Sequence, residues 1–97
     1  FEASKDLFVK EDTLMLATGG SAEITVERAC GKKLGFSVSS PVIAFWTDPE
    51  EGNFVCVEPW WGLPDVMPKQ SEISEKPFVI RLGGKKRHEC GYDIKLM

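Results

Sequence analysis

The residue best placed to do chemistry in this sequence is Glu58, the single carboxylate of an apolar and aromatic stretch. It ends the apolar run 54–57 and is followed at once by Pro59, Trp60 and Trp61. Because taking a charge out of water is costly, a carboxylate at the end of a buried strand usually has a task. Such a group can accept a proton from a sugar hydroxyl, and neighbouring tryptophan rings can stack on the apolar face of a sugar.

Two tryptophans beside Glu58 are the candidate sugar-binding residues. Trp60 lies two positions further along the chain, and Trp46 ends the preceding apolar segment 42–46. A structural interpretation competes with this one: Glu58 is then an ordinary strand-end residue, and the tryptophans belong to the core. Composition alone favours the structural interpretation, because short patterns of this kind often match without any functional meaning.

The elements that must hold these side chains are short strands separated by turn residues. Segments 22–27 and 34–38 alternate apolar and polar side chains, which predicts strands with one solvent-facing side. Segments 42–46 and 54–57 are apolar on both faces and are predicted to form a central antiparallel hairpin between two layers. Further strands are predicted at 13–17, 78–82 and 87–96. No segment shows helical spacing with caps, so the predicted fold class is all-β, an antiparallel β-sandwich.

Pro59 is predicted to end the second hairpin strand, because it has no N–H group and fixes its own backbone angle. Glu58 would then lie at the strand end, where the chain turns away. The following segment, 59–76, is rich in prolines and polar residues and is predicted to be a long loop, a type of segment that is often functional. Lys76 is expected to close this loop by pairing with a carboxylate, and a contact with a sugar is the alternative.

Size and composition limit the classes of function. The chain has 97 residues, 42% of them hydrophobic and 28% charged, as expected for one soluble domain or part of one. Its net charge of −3 and its scattered basic residues argue against nucleic acid as a partner, and no apolar run is long enough for a membrane span. The three cysteines have no zinc-binding spacing and favour free thiols in a reducing compartment, the cytoplasm. The sequence indicates no metal site and no cofactor.

A family resemblance adds to these observations. It rests on Trp46, on the run Phe-Val-Cys-Val-Glu-Pro-Trp-Trp-Gly-Leu-Pro-Asp at 54–65, on the Glu-Lys pair at 75–76, and on segments 78–82 and 92–94. In these residues the chain resembles the carboxy-terminal part of the aldose 1-epimerase (galactose mutarotase) family. The most specific part of the resemblance is the Cys-Val-Glu-Pro-Trp run with the Glu-Lys pair downstream.

The resemblance implies a fold, an activity and a division of roles. Residues 1–97 would be the carboxy-terminal portion of an aldose 1-epimerase-like domain, within a β-supersandwich considerably longer than this chain. Family members interconvert the α and β anomers of a monosaccharide: a glutamate removes the proton of the anomeric hydroxyl while a histidine protonates the ring oxygen. Glu58 matches the glutamate base, and Trp46 and Trp60 would contact the sugar. The histidine would lie in the missing amino-terminal part, so the chain is expected to be inactive alone or to work in complex with that part.

The chain departs from the galactose-specific branch of this family at two places. Where that branch has Gln-Phe-Tyr and Glu-Thr-Gln, this sequence has Ala-Phe-Trp at 44–46 and Glu-Pro-Trp at 58–60. A glutamine that would bind sugar hydroxyls is therefore missing, and the sequence is more similar to the Glu-Pro-Trp branch. His88, the one histidine of the chain, has no counterpart in the family pattern.

Other functions stay open at the level of sequence. The chain can be a non-catalytic carbohydrate-binding β-sandwich, which uses its tryptophans as a stacking platform and needs no proton acceptor. It can also be a sandwich that binds another protein. Glu58 and Asp65 can be compared with the paired carboxylates of a glycosidase, which act as acid and base at a defined separation.

Overall fold

The alternating and apolar segments form six strands in the computed structural model, which describes residues 1–65 and 72–97. The elements in chain order are α1 (Lys5–Glu11), β1 (Leu14–Ala17), β2 (Ala22–Glu27), β3 (Lys33–Val38), β4 (Val42–Trp46), β5 (Cys56–Trp60), a 3-10 turn (Ile73–Glu75) and β6 (Tyr92–Leu96). The first sheet has the strand order β1-β4-β5, and the second sheet has the order β2-β3-β6. All pairings are antiparallel. This arrangement, with one short helix, confirms the predicted all-β, sandwich-like fold.

The core lies between the two sheets and includes the inner side of α1. Four buried residues form its centre: Phe8 of α1, Val38 of β3, and Ile43 and Phe45 of β4. Partly buried side chains from both sheets surround them, among them Leu14, Ile24, Phe36 and Val57. The predicted central hairpin, β4 with β5, is confirmed, and β4 is buried along almost its whole length.

Helix α1 was not predicted by the sequence pattern. Ser4 caps its first turn, because its Oγ accepts a hydrogen bond from the Leu7 amide at 3.2 Å, as serine commonly does at this position. Only Leu7 and Phe8 of this helix pack against the core. A helical period cannot be recognised over about two turns, which explains the missed element. Within the described ranges no helix, α1 included, is long and apolar enough to cross a membrane.

Two of the three connections between the sheets are hydrogen-bonded to each other. The first joins β1 to β2 through Gly19 and Gly20, whose φ angles of 70° and 97° favour glycine. The second joins β3 to β4 through Ser40 and Pro41. The Thr18 amide donates to the Pro41 carbonyl at 3.0 Å, and the Thr18 hydroxyl donates to the Ser40 carbonyl. These bonds continue the pairing of β1 with β4 beyond the end of the ladder.

The prediction of a strand at 78–82 is wrong. This segment pairs with no strand in the part of the chain that the structure describes. Phe78 has a φ angle of 59°, and Phe78, Ile80 and Leu82 are exposed. Apolar alternation was present in the sequence, but a strand also needs a neighbour to pair with. The predicted closing strand is present and shorter than the segment 87–96, since only β6 pairs with β3.

Pro59 does not end β5, contrary to the prediction. Pairing continues through Pro59, opposite Ile43, to Trp60, opposite Val42. Because β5 is an edge strand of the first sheet, the missing N–H group of a proline can face away from β4 without loss of a ladder hydrogen bond. Glu58 therefore lies in the middle of β5 and not at its end.

A tight loop joins β4 to β5. The Asp48 carboxylate accepts hydrogen bonds from two following amides at 2.8 and 3.2 Å, and the Gly52 amide donates to the Asp48 carbonyl at 2.7 Å. Thr47 is buried, and its hydroxyl donates to the Phe54 carbonyl. A β-carbon at position 52 would lie closer than 3.0 Å to the Asp48 carbonyl oxygen and to Oγ1 of Thr47. The loop therefore requires glycine at this position.

We expect Gly52→Ala to lower the free energy of unfolding by about 2–4 kcal/mol, because the added methyl group overlaps backbone atoms that are fixed by the loop hydrogen bonds. Gly84→Ala is the matched control, since nothing lies within 4 Å of a β-carbon there, and its effect is expected to stay within about 0.5 kcal/mol. Urea denaturation followed by circular dichroism measures both variants. Equal stability of the two variants would contradict the predicted overlap.

Candidate functional site

Strand pairing places the three predicted site residues on one face of the first sheet. The cross-strand pairs are Val42 with Trp60, Ala44 with Glu58, and Trp46 with Cys56. Residues directly opposite in antiparallel strands point to the same side, and successive residues alternate between sides. Glu58 therefore shares a face with Trp46 and Trp60, whereas Ile43 and Phe45 point into the core. We call the side that carries Trp46, Glu58 and Trp60 the aromatic face.

Glu58 is half-buried at the centre of the aromatic face and is held by a hydrogen bond from a neighbour on its own strand. The indole Nε1 of Trp60 donates to Oε2 of Glu58 at 3.1 Å. An indole N–H can only donate, and a bond to an ionised acceptor is stronger than a bond between neutral groups. Oε1 of Glu58 has no donor among the described residues. This second oxygen can therefore accept a hydrogen bond or a proton from a ligand.

Trp46 lies on the opposite side of Glu58 from Trp60 and contacts another aromatic ring, Phe54. The ring centroids are 5.9 Å apart and the planes meet at 51°, within the range of favourable aromatic pairs. Phe54 is 52% exposed, so the pair presents aromatic surface to solvent. The sequence pattern did not single out Phe54 as a site residue. Its spacing of two and four residues from Cys56 and Glu58 was the available indication that it shares their face.

Ala44 lies directly opposite Glu58 and is completely buried. The next residue in the same row is Met15 of β1. Glu58 is therefore the one polar side chain in a row of three across the first sheet. Since neither a methyl group nor a thioether donates hydrogen bonds, the neighbouring strands add no donor beside the carboxylate.

An ion pair closes the loop that follows β5. Nζ of Lys76 lies 3.0 Å from Oδ1 of Asp65, which confirms the predicted pairing of Lys76 with a carboxylate. Positions 66–71 of the predicted loop lie outside the described residues. The two carboxylates of the glycosidase comparison are held by different partners, Asp65 by Lys76 and Glu58 by Trp60.

The other reactive side chains are one histidine and three cysteines. His88 is exposed in the segment that precedes β6. Cys30 and Cys90 are exposed free thiols, and Cys56 is a half-buried free thiol on the aromatic face. In the described ranges, no group of three or more His, Cys, Asp or Glu residues is arranged to hold a metal ion.

A cavity of about 730 Å³ opens on the other side of the first sheet. Its lining includes Ile24, Phe45 and Val55, which also contribute to the core between the sheets. Phe1 enters this space, and its ring centroid lies 5.2 Å from that of Phe45. The cavity is therefore an open end of the sandwich, and the predicted site residues do not line it.

Comparisons with known proteins gave no match to this chain among family models, curated proteins or solved structures. The aromatic face combines a carboxylate, one oxygen of which has no donor among the described residues, with an indole that holds the other oxygen and a partly exposed aromatic pair beside them.

We expect Trp60→Phe to lower the free energy of unfolding by about 1–2 kcal/mol, because the variant cannot donate a hydrogen bond to the Glu58 carboxylate. In a Glu58→Gln background the same change is expected to cost about 0.5–1 kcal/mol less, since an amide oxygen is a neutral acceptor. A double-mutant cycle by urea unfolding measures the difference. An identical cost in both backgrounds would mean that the carboxylate and the indole are not coupled.

Proposed function

We propose that this chain supplies the general base and part of the sugar-binding surface of an enzyme that interconverts the α and β anomers of a monosaccharide. The observation that carries the proposal is the Glu58 carboxylate, half-buried on a strand, with one oxygen held by Trp60 and the other without a donor in the described residues. The resemblance of the Cys-Val-Glu-Pro-Trp run to aldose 1-epimerases supports the same assignment.

The proposed reaction needs two proton transfers. Glu58 takes the proton of the anomeric hydroxyl while an acid protonates the ring oxygen, so that the C1–O5 bond breaks and an aldehyde forms. Rotation about the C1–C2 bond presents the other face of the carbonyl, and the transfers run in reverse as the ring closes. The acid is a histidine outside this chain, in the amino-terminal part of the same protein.

The geometry of Glu58 fits the role of a general base. Its hydrogen bond to Trp60 fixes Oε2, and the mid-strand position fixes the backbone, so Oε1 can be held within the ~2.6–3.2 Å that proton transfer from a hydroxyl requires. The Glu58 carboxylate accepts its hydrogen bond from a neutral indole, and it has no cationic partner in the described part of the chain.

The aromatic surface beside Glu58 fits a sugar ring. Trp46 with Phe54 on one side and Trp60 on the other can cover the C–H face of a monosaccharide. Ala44 contributes no hydrogen bond to sugar hydroxyls, so we propose a substrate other than galactose. The free thiols at Cys30 and Cys90 suit the cytoplasm as the place of this reaction.

Glu58→Gln in the complete protein is expected to slow enzymatic mutarotation of freshly dissolved α-glucose by about 10²–10⁴-fold, because the amide keeps the shape of the side chain but cannot accept the proton. Polarimetry measures the rate. Glu51→Gln, at an exposed position of the β4–β5 loop, makes the same chemical change away from the aromatic face and is expected to leave the rate unchanged. An unaltered rate in Glu58→Gln would exclude the proposed mechanism.

A second candidate, a non-catalytic carbohydrate-binding module, is favoured by one observation: the partly exposed Trp46–Phe54 pair is a stacking platform by itself. The two candidates differ in what they require of Glu58. Binding by stacking needs aromatic surface, whereas epimerisation also needs the proton acceptor.

Trp46→Ala is expected to weaken monosaccharide binding by roughly tenfold, because it removes the stacking interaction of one partly exposed ring with the sugar. Isothermal titration measures the affinity, with Trp46→Phe as the control that keeps an aromatic surface. If Trp46→Ala leaves the sugar affinity unchanged, Trp46 does not stack on the sugar, and both candidate functions lose this part of their binding surface. Binding that depends on Trp46, without any mutarotation in the unaltered protein, would favour the binding module.

A further inference from the structure

β6 is one of the two edge strands of the second sheet, and its outer edge has no partner among the described residues. β6 pairs with β3 on one side only, and all five of its residues are exposed. The unpaired N–H and C=O groups of such an edge can pair with another strand. Tyr92, Ile94 and Leu96 are 54%, 56% and 85% exposed, so the edge is also apolar on one face.

The two faces of β6 differ in chemistry. Tyr92, Ile94 and Leu96 lie opposite Val38, Phe36 and Leu34 of β3 and so share the face that continues into the core. Asp93 and Lys95 lie on the other face, and neither forms an ion pair with any residue that the structure describes. The strand therefore carries one acid and one base, symmetrically placed about Ile94.

We propose that β6 pairs in antiparallel fashion with β6 of a second copy of this chain, about a twofold axis at Ile94. In this register Asp93 of each copy lies opposite Lys95 of the other, which forms two ion pairs on one face. On the other face Tyr92 of each copy lies opposite Leu96 of the other, with the two Ile94 side chains at the centre. Such an interface is self-complementary, as a twofold dimer requires, and joins the second sheets into one sheet of six strands.

The other sheet edges are less suited to self-pairing. β2 carries Glu23 and Glu27 and no basic residue, so it offers no opposite charge to its own copy. β5 contains Pro59, which lacks an N–H group to donate across an edge. β1 is four apolar residues long and has no charged side chain to fix a register. Opposite charges placed symmetrically about a central apolar residue occur among these edges only on β6.

Charge reversal tests the proposal, because the two ion pairs are reciprocal. In the intact protein, Lys95→Asp places two carboxylates opposite Asp93 and its symmetry mate, and Asp93→Lys places two ammonium groups opposite Lys95. Each variant alone is expected to raise the dimer dissociation constant at least tenfold. Mixed in equal amounts, the two variants restore opposite charges at both places and are expected to form a heterodimer.

Sedimentation equilibrium measures the mass of each sample, and circular dichroism checks that the variants are folded. Lys32→Asp, the same charge change at an exposed turn position, is expected to leave dimerisation unchanged. A monomeric unaltered protein with β6 amides protected from hydrogen exchange would overturn the proposal, since another segment of the protein would then cover the edge. A dimer that persists in both single variants, or two variants that do not associate when mixed, would also overturn it.

Discussion

Burial of β4 on both of its faces is the constraint on which the rest of the structure depends. Val42, Ile43, Ala44 and Phe45 are each no more than 5% exposed, and a strand apolar on both sides must be covered on both sides. Ile43 and Phe45 meet the second sheet and Phe8 of α1. The other two residues underlie the aromatic face. One strand therefore anchors the core with one set of side chains and the candidate site with the alternate set.

The main elements of the fold follow from sequence pattern, and the errors have physical reasons. Double-sided apolar runs identified β4 and β5, and period-two alternation identified β2 and β3. The predicted end of β5 at Pro59 was wrong because a proline is tolerated where its missing N–H group faces an open sheet edge. Whether a strand lies at an edge depends on strand order, which a local sequence pattern does not encode. Residues 78–82 have the composition of a strand, but Phe78 has a positive φ angle and, among the described residues, no strand lies beside the segment.

The sequence was sufficient to predict which site residues share a face of the sheet, but not which of their side chains contact each other. Alternation along β5 and the hairpin with β4 place Glu58, Trp60 and Trp46 together. The indole-to-carboxylate bond depends on side-chain rotamers, and the Trp46–Phe54 contact depends on register and on the shape of the preceding loop. Lys76 was predicted to pair with a carboxylate, although its sequence position does not specify Asp65 as the partner.

Because Glu58 lies in the middle of a strand, the position of its carboxylate and the path of the following loop are set by different contacts. The pairing of β4 with β5 fixes the position of the carboxylate, whereas the ion pair of Lys76 with Asp65 joins the two ends of the later loop. Insertions, deletions and substitutions in that later segment can therefore be tolerated without displacing the carboxylate. In evolutionary terms, the loop can diversify in length and sequence while the carboxylate keeps its position in the sheet.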